Sequence, residues 1–114
     1  MMNEDTVKIS MAIILNSGDA RAACTDALTA IADGNFDTAD EKLKEAHKKI
    51  VEAHRIQTDA IQEETDGKKS EYSLLFAHAQ DTVMTVTSEL NIATQLLHIF
   101  KKYEKRISKL EDTI

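Results

Sequence analysis

At 114 residues the chain has room for one domain with a modest core. It contains no proline, three glycines, no tryptophan and 30% charged residues, so helix is the default almost throughout. A formal charge of −6 argues against nucleic acid as the main partner, because phosphate binding needs a basic patch.

The first predicted element is a helix over roughly residues 5–32. Ala12, Ile13, Ile14, Leu15, Ala20, Ala22, Ala23, Ala27, Leu28, Ala30 and Ile31 cover more than one of its faces. A helix apolar most of the way round is buried on several sides. Its Cys24 is the sole cysteine, so no intramolecular disulfide can form, and a small buried thiol is the default reading. The preceding "MMNEDTVKIS" has no apolar signal region, and no run approaches the ~20 apolar residues that span a bilayer. The expected setting is soluble, reducing and cytoplasmic.

The glycine turn "ADGNFD" (32–37) leads into a second helix over roughly 36–64. Its stripe is Phe36, Ala39, Leu43, Ala46, Ile50, Ala53, Gln57 and Ala60 with Ile61. His47 and His54 are seven apart, whereas a metal pair on a helix prefers four, so both read as exposed residues. A second turn, "ETDGKKS" (64–70), precedes a third helix over roughly 70–111.

That helix has the cleanest pattern. Tyr72, Phe76, Ala79, Val83, Val86, Leu90, Ala93, Leu97 and Phe100 follow steps of four and three and define a packed face. The opposite face reads Leu74, His78, Asp81, Thr85, Ser88, Ile92, Gln95 and Ile99, without lysine or glutamate. Small polar residues between branched apolar ones suit an interface between copies of the helix. His98, between Leu97 and Ile99, reads as structural, and the cations of "KKYEKRISK" (101–109) read as complements to a helix C-terminus. Short turns between long helices give an all-α, antiparallel up-down-up three-helix bundle as a single domain over residues 1–114.

His78 and Asp81 are neighbours on one helix face. Gln80 points about 100° round from Asp81, toward an incoming partner. No serine-and-base arrangement and no second carboxylate accompany them, which excludes the acyl-transfer and glycosidase layouts. An exposed imidazole can accept and pass on a phosphoryl group. On these residues alone a structural helix histidine is the first reading and a reactive one the second.

Four stretches decide between them by resemblance. "LLFAHAQDTVMT" (74–85) resembles the active-site segment of the enzyme IIA components of the lactose/cellobiose class of the bacterial phosphoenolpyruvate-dependent sugar phosphotransferase system. "IILNSGDARAACTDAL" (13–28) resembles its first helix, "ADGNFDTADEKLKEA" (32–46) its first turn and second helix, and "EAHRIQTDAIQEE" (52–64) the end of that helix. The resemblance implies a homotrimer of three-helix bundles. It implies a phosphohistidine at His78, taking its group from the carrier HPr and passing it to a cysteine of a cognate IIB component. IIB then phosphorylates a β-disaccharide arriving through the membrane component IIC. The resemblance further implies that Gln80 helps position the phosphoryl group and that Asp81 lies near the trimer axis and binds a divalent cation, taken as magnesium. Three carboxylates on one axis repel, so they must share protons or hold a hard cation. The chain departs from the family's His-Ala-Gln-Asp-His-Leu-Met: Thr82 replaces the second histidine and Val83 the leucine. "DGNFDTADEKLKEA" also resembles a tetratricopeptide turn and helix, which keeps a purely helical interaction module as the alternative, although no 34-residue repeat follows.

Overall fold

The computed structural model describes residues 4–67 and 72–114. Three helices account for nearly all of them: α1 (Glu4–Ala32), α2 (Phe36–Thr65) and α3 (Leu74–Asp112). They form an up-down-up bundle measuring 69 × 20 × 18 Å. The expected start of the third helix at 70 lies outside the described residues.

Local signals set the boundaries. α1 ends where the Gly34 and Asn35 amides turn back to the carbonyls of Ile31 and Ala30. Gly34 sits at φ 75°, a left-handed conformation that costs a side chain-bearing residue dearly. Asn35 then caps α2, its side chain accepting from the Thr38 amide. Gly67, at φ 96°, closes the other end of α2. Ser73 caps α3, its Oγ accepting from the Phe76 amide at 3.1 Å.

α1 lies against both other helices. Ser10, Ile13, Ser17, Ala20, Cys24, Ala27 and Ile31 are buried at heptad spacing, with Ala23 and Ala30 beside them. Most are small, which lets the backbones approach and accounts for the thin cross-section. Against them pack Ala39, Leu43, Ala46, Ile50 and Ala53 of α2, and Ala79, Val83, Val86, Leu90, Ala93 and Leu97 of α3. Cross-helix ion pairs fix the register: Arg21 grips Glu89 with two bonds of 2.9 and 3.2 Å, and Lys101 Nζ reaches Asp40 at 3.0 Å.

Several expectations are corrected. Tyr72 precedes α3 and is 84% exposed, and Phe100 is 46% exposed, so the packed stripe of α3 runs only from Phe76 to Leu97. At the Phe100 end the reason is reach: α1 and α2 meet at a turn near residues 32–36, and among the described residues nothing lies beside α3 past that level. α1 is not buried all round either. Met11, Leu15 and Leu28 stay exposed because only two helices are present to cover it. Of the cations in 101–109, only Lys109 stands in the last turn of α3.

Candidate functional site

His78 lies in the second turn of α3, one turn beyond the Ser73 cap. A helical Cα–Cβ bond tilts toward the N-terminus, so the imidazole leans toward the positive end of the α3 dipole. That end favours a group gaining negative charge. His78 is exposed, and its ring makes no hydrogen bond or ion pair among the described residues. Ala79, immediately behind it, is 0% exposed, and so is Val83. Phe76 is half-buried against the core. The histidine therefore stands on a rigid backbone, and its side chain is open to a partner.

Asp81 is exposed on the same face, one turn on, and its carboxylate forms no ion pair among the described residues. Gln80 is half-buried beside it. Leu74, Thr85, Ser88, Ile92, Gln95 and Ile99, the remaining members of the outward stripe, are all exposed. From Phe76 to Leu97 the two stripes read from the sequence thus separate: one is inside the bundle and the other has no covering element among the described residues.

Thr82 donates from Oγ1 to the His78 carbonyl at 2.8 Å, and Thr85 does the same to Asp81 at 2.8 Å. The Thr82 hydroxyl proton is spent on the backbone and is not aimed at an incoming group. It does not reproduce an imidazole; it ties a side chain to the turn that holds His78.

The other histidines occupy different settings. His54 is not an exposed residue as expected: it is half-buried and its Nε2 lies 3.0 Å from Thr87 Oγ1. Because Thr87 gives its own proton to the Val83 carbonyl at 2.6 Å, the His54 nitrogen is the donor. His47 and His98 are exposed and border the open groove between α2 and α3. His98 stands twenty positions after His78, about 30 Å along α3. None of the three can join His78 in one site. Among the described residues no group of three or more His, Cys, Asp or Glu side chains is placed to hold a metal ion within one chain.

Three positioning contacts escape a reading of periodicity: Arg21 with Glu89, His54 with Thr87, and Lys101 with Asp40. Each joins residues more than thirty positions apart. Together they fix the rotation of α3 about its axis, and hence the direction in which His78 and Asp81 point.

Cys24 is buried in α1, with its thiol 3.9 Å from the Glu89 carbonyl. Burial, helped by the Glu89 charge, pushes it above the ordinary 9.0. It is a packing thiol held protonated, not a nucleophile.

Comparison with known proteins agrees with the resemblance. Residues 8–101 match the family described as PTS system, lactose/cellobiose-specific IIA subunit. The lichenan-specific phosphotransferase enzyme IIA component of Bacillus subtilis is 35% identical over 101 residues, covering 89% of this chain and 92% of its own. The cellobiose-specific enzyme IIA of Bacillus anthracis is 38% identical, covers 92% of this chain and 95% of its own, and superposes with a TM-score of 0.85. The IIA(chitobiose) of Escherichia coli, solved in complex with HPr, is 29% identical over 90% of this chain and 99% of its own, with a TM-score of 0.75. Among the described residues no helix is long and apolar enough to cross a membrane. The chain belongs to the lactose/cellobiose-specific IIA family of the phosphotransferase system, whose members are phosphotransferase proteins that carry phosphoryl groups.

Proposed function

We propose that His78 is the residue that carries the phosphoryl group, receiving it from HPr and delivering it to a cognate IIB protein for uptake of a β-disaccharide. One observation supports this above the others: His78 is exposed, unpaired among the described residues and held on the outward face of α3 within the matched segment. A phosphoryl acceptor needs an accessible ring nitrogen and a fixed backbone, and both are present.

In the first transfer a ring nitrogen of neutral His78 attacks the phosphorus of the HPr phosphohistidine. A new N–P bond forms as the donor's N–P bond breaks, and HPr leaves with a neutral imidazole. In the second, a cysteine thiolate of IIB attacks the same phosphorus and His78 regains its nitrogen lone pair. IIB then passes the group to sugar entering through the membrane component IIC. Transfers of this kind depend on positioning and charge neutralisation, so a single imidazole at the positive end of a helix is enough chemistry. Gln80, beside the histidine, donates a hydrogen bond to the transferring oxygens.

The working assembly is a homotrimer seamed by the outward stripe of α3. Its apolar members Ile92 and Ile99 are 59% and 44% exposed in the single chain and are covered in the trimer. Asp81 then meets its two copies. One chain offers one carboxylate there, which fits a magnesium site shared between chains; bound Mg2+ supplies charge neutralisation at the seam.

The experiment is incubation with phosphoenolpyruvate, enzyme I and HPr, read by intact mass. One acid-labile phosphoryl group per chain is expected, absent in His78→Ala. No gain of mass in the unaltered chain, or an undiminished gain in the variant, refutes the role. Sedimentation should give about 38 kDa, three chains of 12.7 kDa; a clean monomer refutes the seam.

A further inference from the structure

The cations of residues 101–109 do little for the fold of the single chain. α3 is 39 residues long against 29 and 30 for α1 and α2, and its surplus projects past the turn that joins them. Only Lys109 stands in the last turn, where a cation complements the helix dipole. Lys101 is taken up by Asp40. Lys102, Lys105, Arg106 and Lys109 remain, all exposed and none in an ion pair among the described residues.

Their spacing is i, i+3, i+4 and i+7, which places all four on one face of the helix. Each has like charges three or four positions away, and only Asp112, three beyond Lys109, brings an acid to that spacing. Like charges so placed destabilise a helix. A stripe that weakens the single chain and is not neutralised by it suits an external anion. The apolar residues of the segment, Phe100, Tyr103, Ile107 and Leu110, centre about 130° round the helix. The cationic face therefore stays open whether or not they are covered.

The side chains say what kind of anion fits. Three of the four are lysines, point charges on flexible stems, not the planar forks that read a single carboxylate or phosphate. The one guanidinium, that of Arg106, lies over the Tyr103 ring, 5.5 Å from its centroid. The open groove between α2 and α3 has its α3 wall end at His98, short of the stripe. A row of mobile charges on a straight helical edge matches a broad anionic plane. The projecting end of α3 lets such a plane approach without meeting α1 or α2.

We propose that the face formed by Lys102, Lys105, Arg106 and Lys109 adsorbs the chain to an anionic lipid surface, electrostatically and without insertion. The whole chain carries −6. At about 0.15 M salt, however, fields fade beyond about 8 Å, so the stripe acts on the surface it touches and the distant acids do not. His78 stands twenty-four positions before Lys102, about 36 Å along α3, outside the contact. The proposal does not depend on His78 carrying a phosphoryl group.

The test is co-sedimentation of the full chain with vesicles of phosphatidylcholine, either alone or with about one-third phosphatidylglycerol. The variants are Lys102→Gln, Lys102→Gln/Lys105→Gln, glutamine at all four positions, and Lys44→Gln/Lys48→Gln, which neutralises two exposed cations of α2 outside the stripe. Binding to the anionic vesicles alone is expected, weakened about fivefold for each cation removed from the stripe. Raising the salt to about 0.5 M should weaken it at least tenfold, and the α2 pair should bind like the unaltered chain. Glutamine is a good helix former, so circular dichroism should show undiminished helix in every variant; if the fourfold variant loses helix, the single and double variants decide. No binding to anionic vesicles, equal binding to both kinds, or stripe variants that bind like the unaltered chain overturns the proposal. An equal loss in the α2 pair also overturns it, because net charge alone would then govern binding. A polyglutamate peptide or duplex DNA that displaces the vesicles overturns lipid as the partner. Phosphoryl uptake in solution is read in parallel: vesicle binding without uptake removes only the carrier role, and uptake without vesicle binding removes only the adsorption.

Discussion

The two faces of α3 teach more side by side than either does alone. Ala79, Val83, Val86 and Ala93 on the inner face are 0–1% exposed and find all their contacts inside one chain. His78, Asp81, Thr85 and Ser88 on the outer face are exposed, and the side chains of His78 and Asp81 meet no partner among the described residues. The inner face is therefore a matter of stability. The outer face contributes little to the fold of a single chain, which frees it for chemistry and assembly.

If that division holds, substitutions on the two faces should separate stability from function. The largest effect on stability is expected from Leu97→Ala, which removes a side chain only 1% exposed. It should cost about 2–5 kcal/mol in urea unfolding, while the protein that remains folded still accepts a phosphoryl group. A loss below about 1 kcal/mol would place Leu97 outside the packed face.

Asp81→Leu acts on the outer face. On the proposed assembly it should abolish any magnesium dependence and tighten the association by removing the repulsion between the Asp81 carboxylates of the copies, with unfolding of the isolated chain barely altered. Sedimentation with and without magnesium checks this, and dissociation of the variant would contradict the axial placement of Asp81.

A smaller effect is expected at Arg21 and Glu89, whose side chains are 46% and 43% exposed. A double-mutant cycle with alanine should yield a coupling of about 0.2–1 kcal/mol. Their larger consequence is orientation, so both variants should lower the rate of phosphoryl uptake more than stability implies.

The smallest effect involves Cys24. Its folded thiol keeps its proton to higher pH than the unfolded thiol, whose ordinary value is 9.0. Over that window the unfolded chain binds fewer protons, so stability falls as pH rises through 9 toward the folded value. Cys24→Ala should flatten that part of the profile in denaturation measured from pH 7 to 10.

The sequence carried the inner face almost whole, because burial repeats with the period of the helix and Ala79, Val83 and Leu90 are read directly. It carried the turns that end α1 and α2 nearly as well, through Gly34 and Gly67. It erred where periodicity continues but neighbours do not. Phe100 obeys the heptad, yet α1 and α2 have already turned back. Leu15 and Leu28 are apolar with nothing to cover them. His54 and Thr87 lie on different helices, and no local pattern announces a bond between them. The outer face was legible as a second stripe, but its chemistry came from the motif around His78, since one histidine on a helix has no period of its own.

The central claim is that His78, on the uncovered face, is the reactive imidazole while the covered face stays still. Nuclear magnetic resonance of the four histidine rings and of the Val83, Val86 and Leu90 methyl groups, before and after phosphoenolpyruvate is added with enzyme I and HPr, tests it most directly. The account predicts that the His78 ring signals move to those of a phosphohistidine while His47, His54, His98 and the buried methyls hold their positions. A phosphorylated ring at any of the other three histidines, or a displaced set of core methyls, would contradict it.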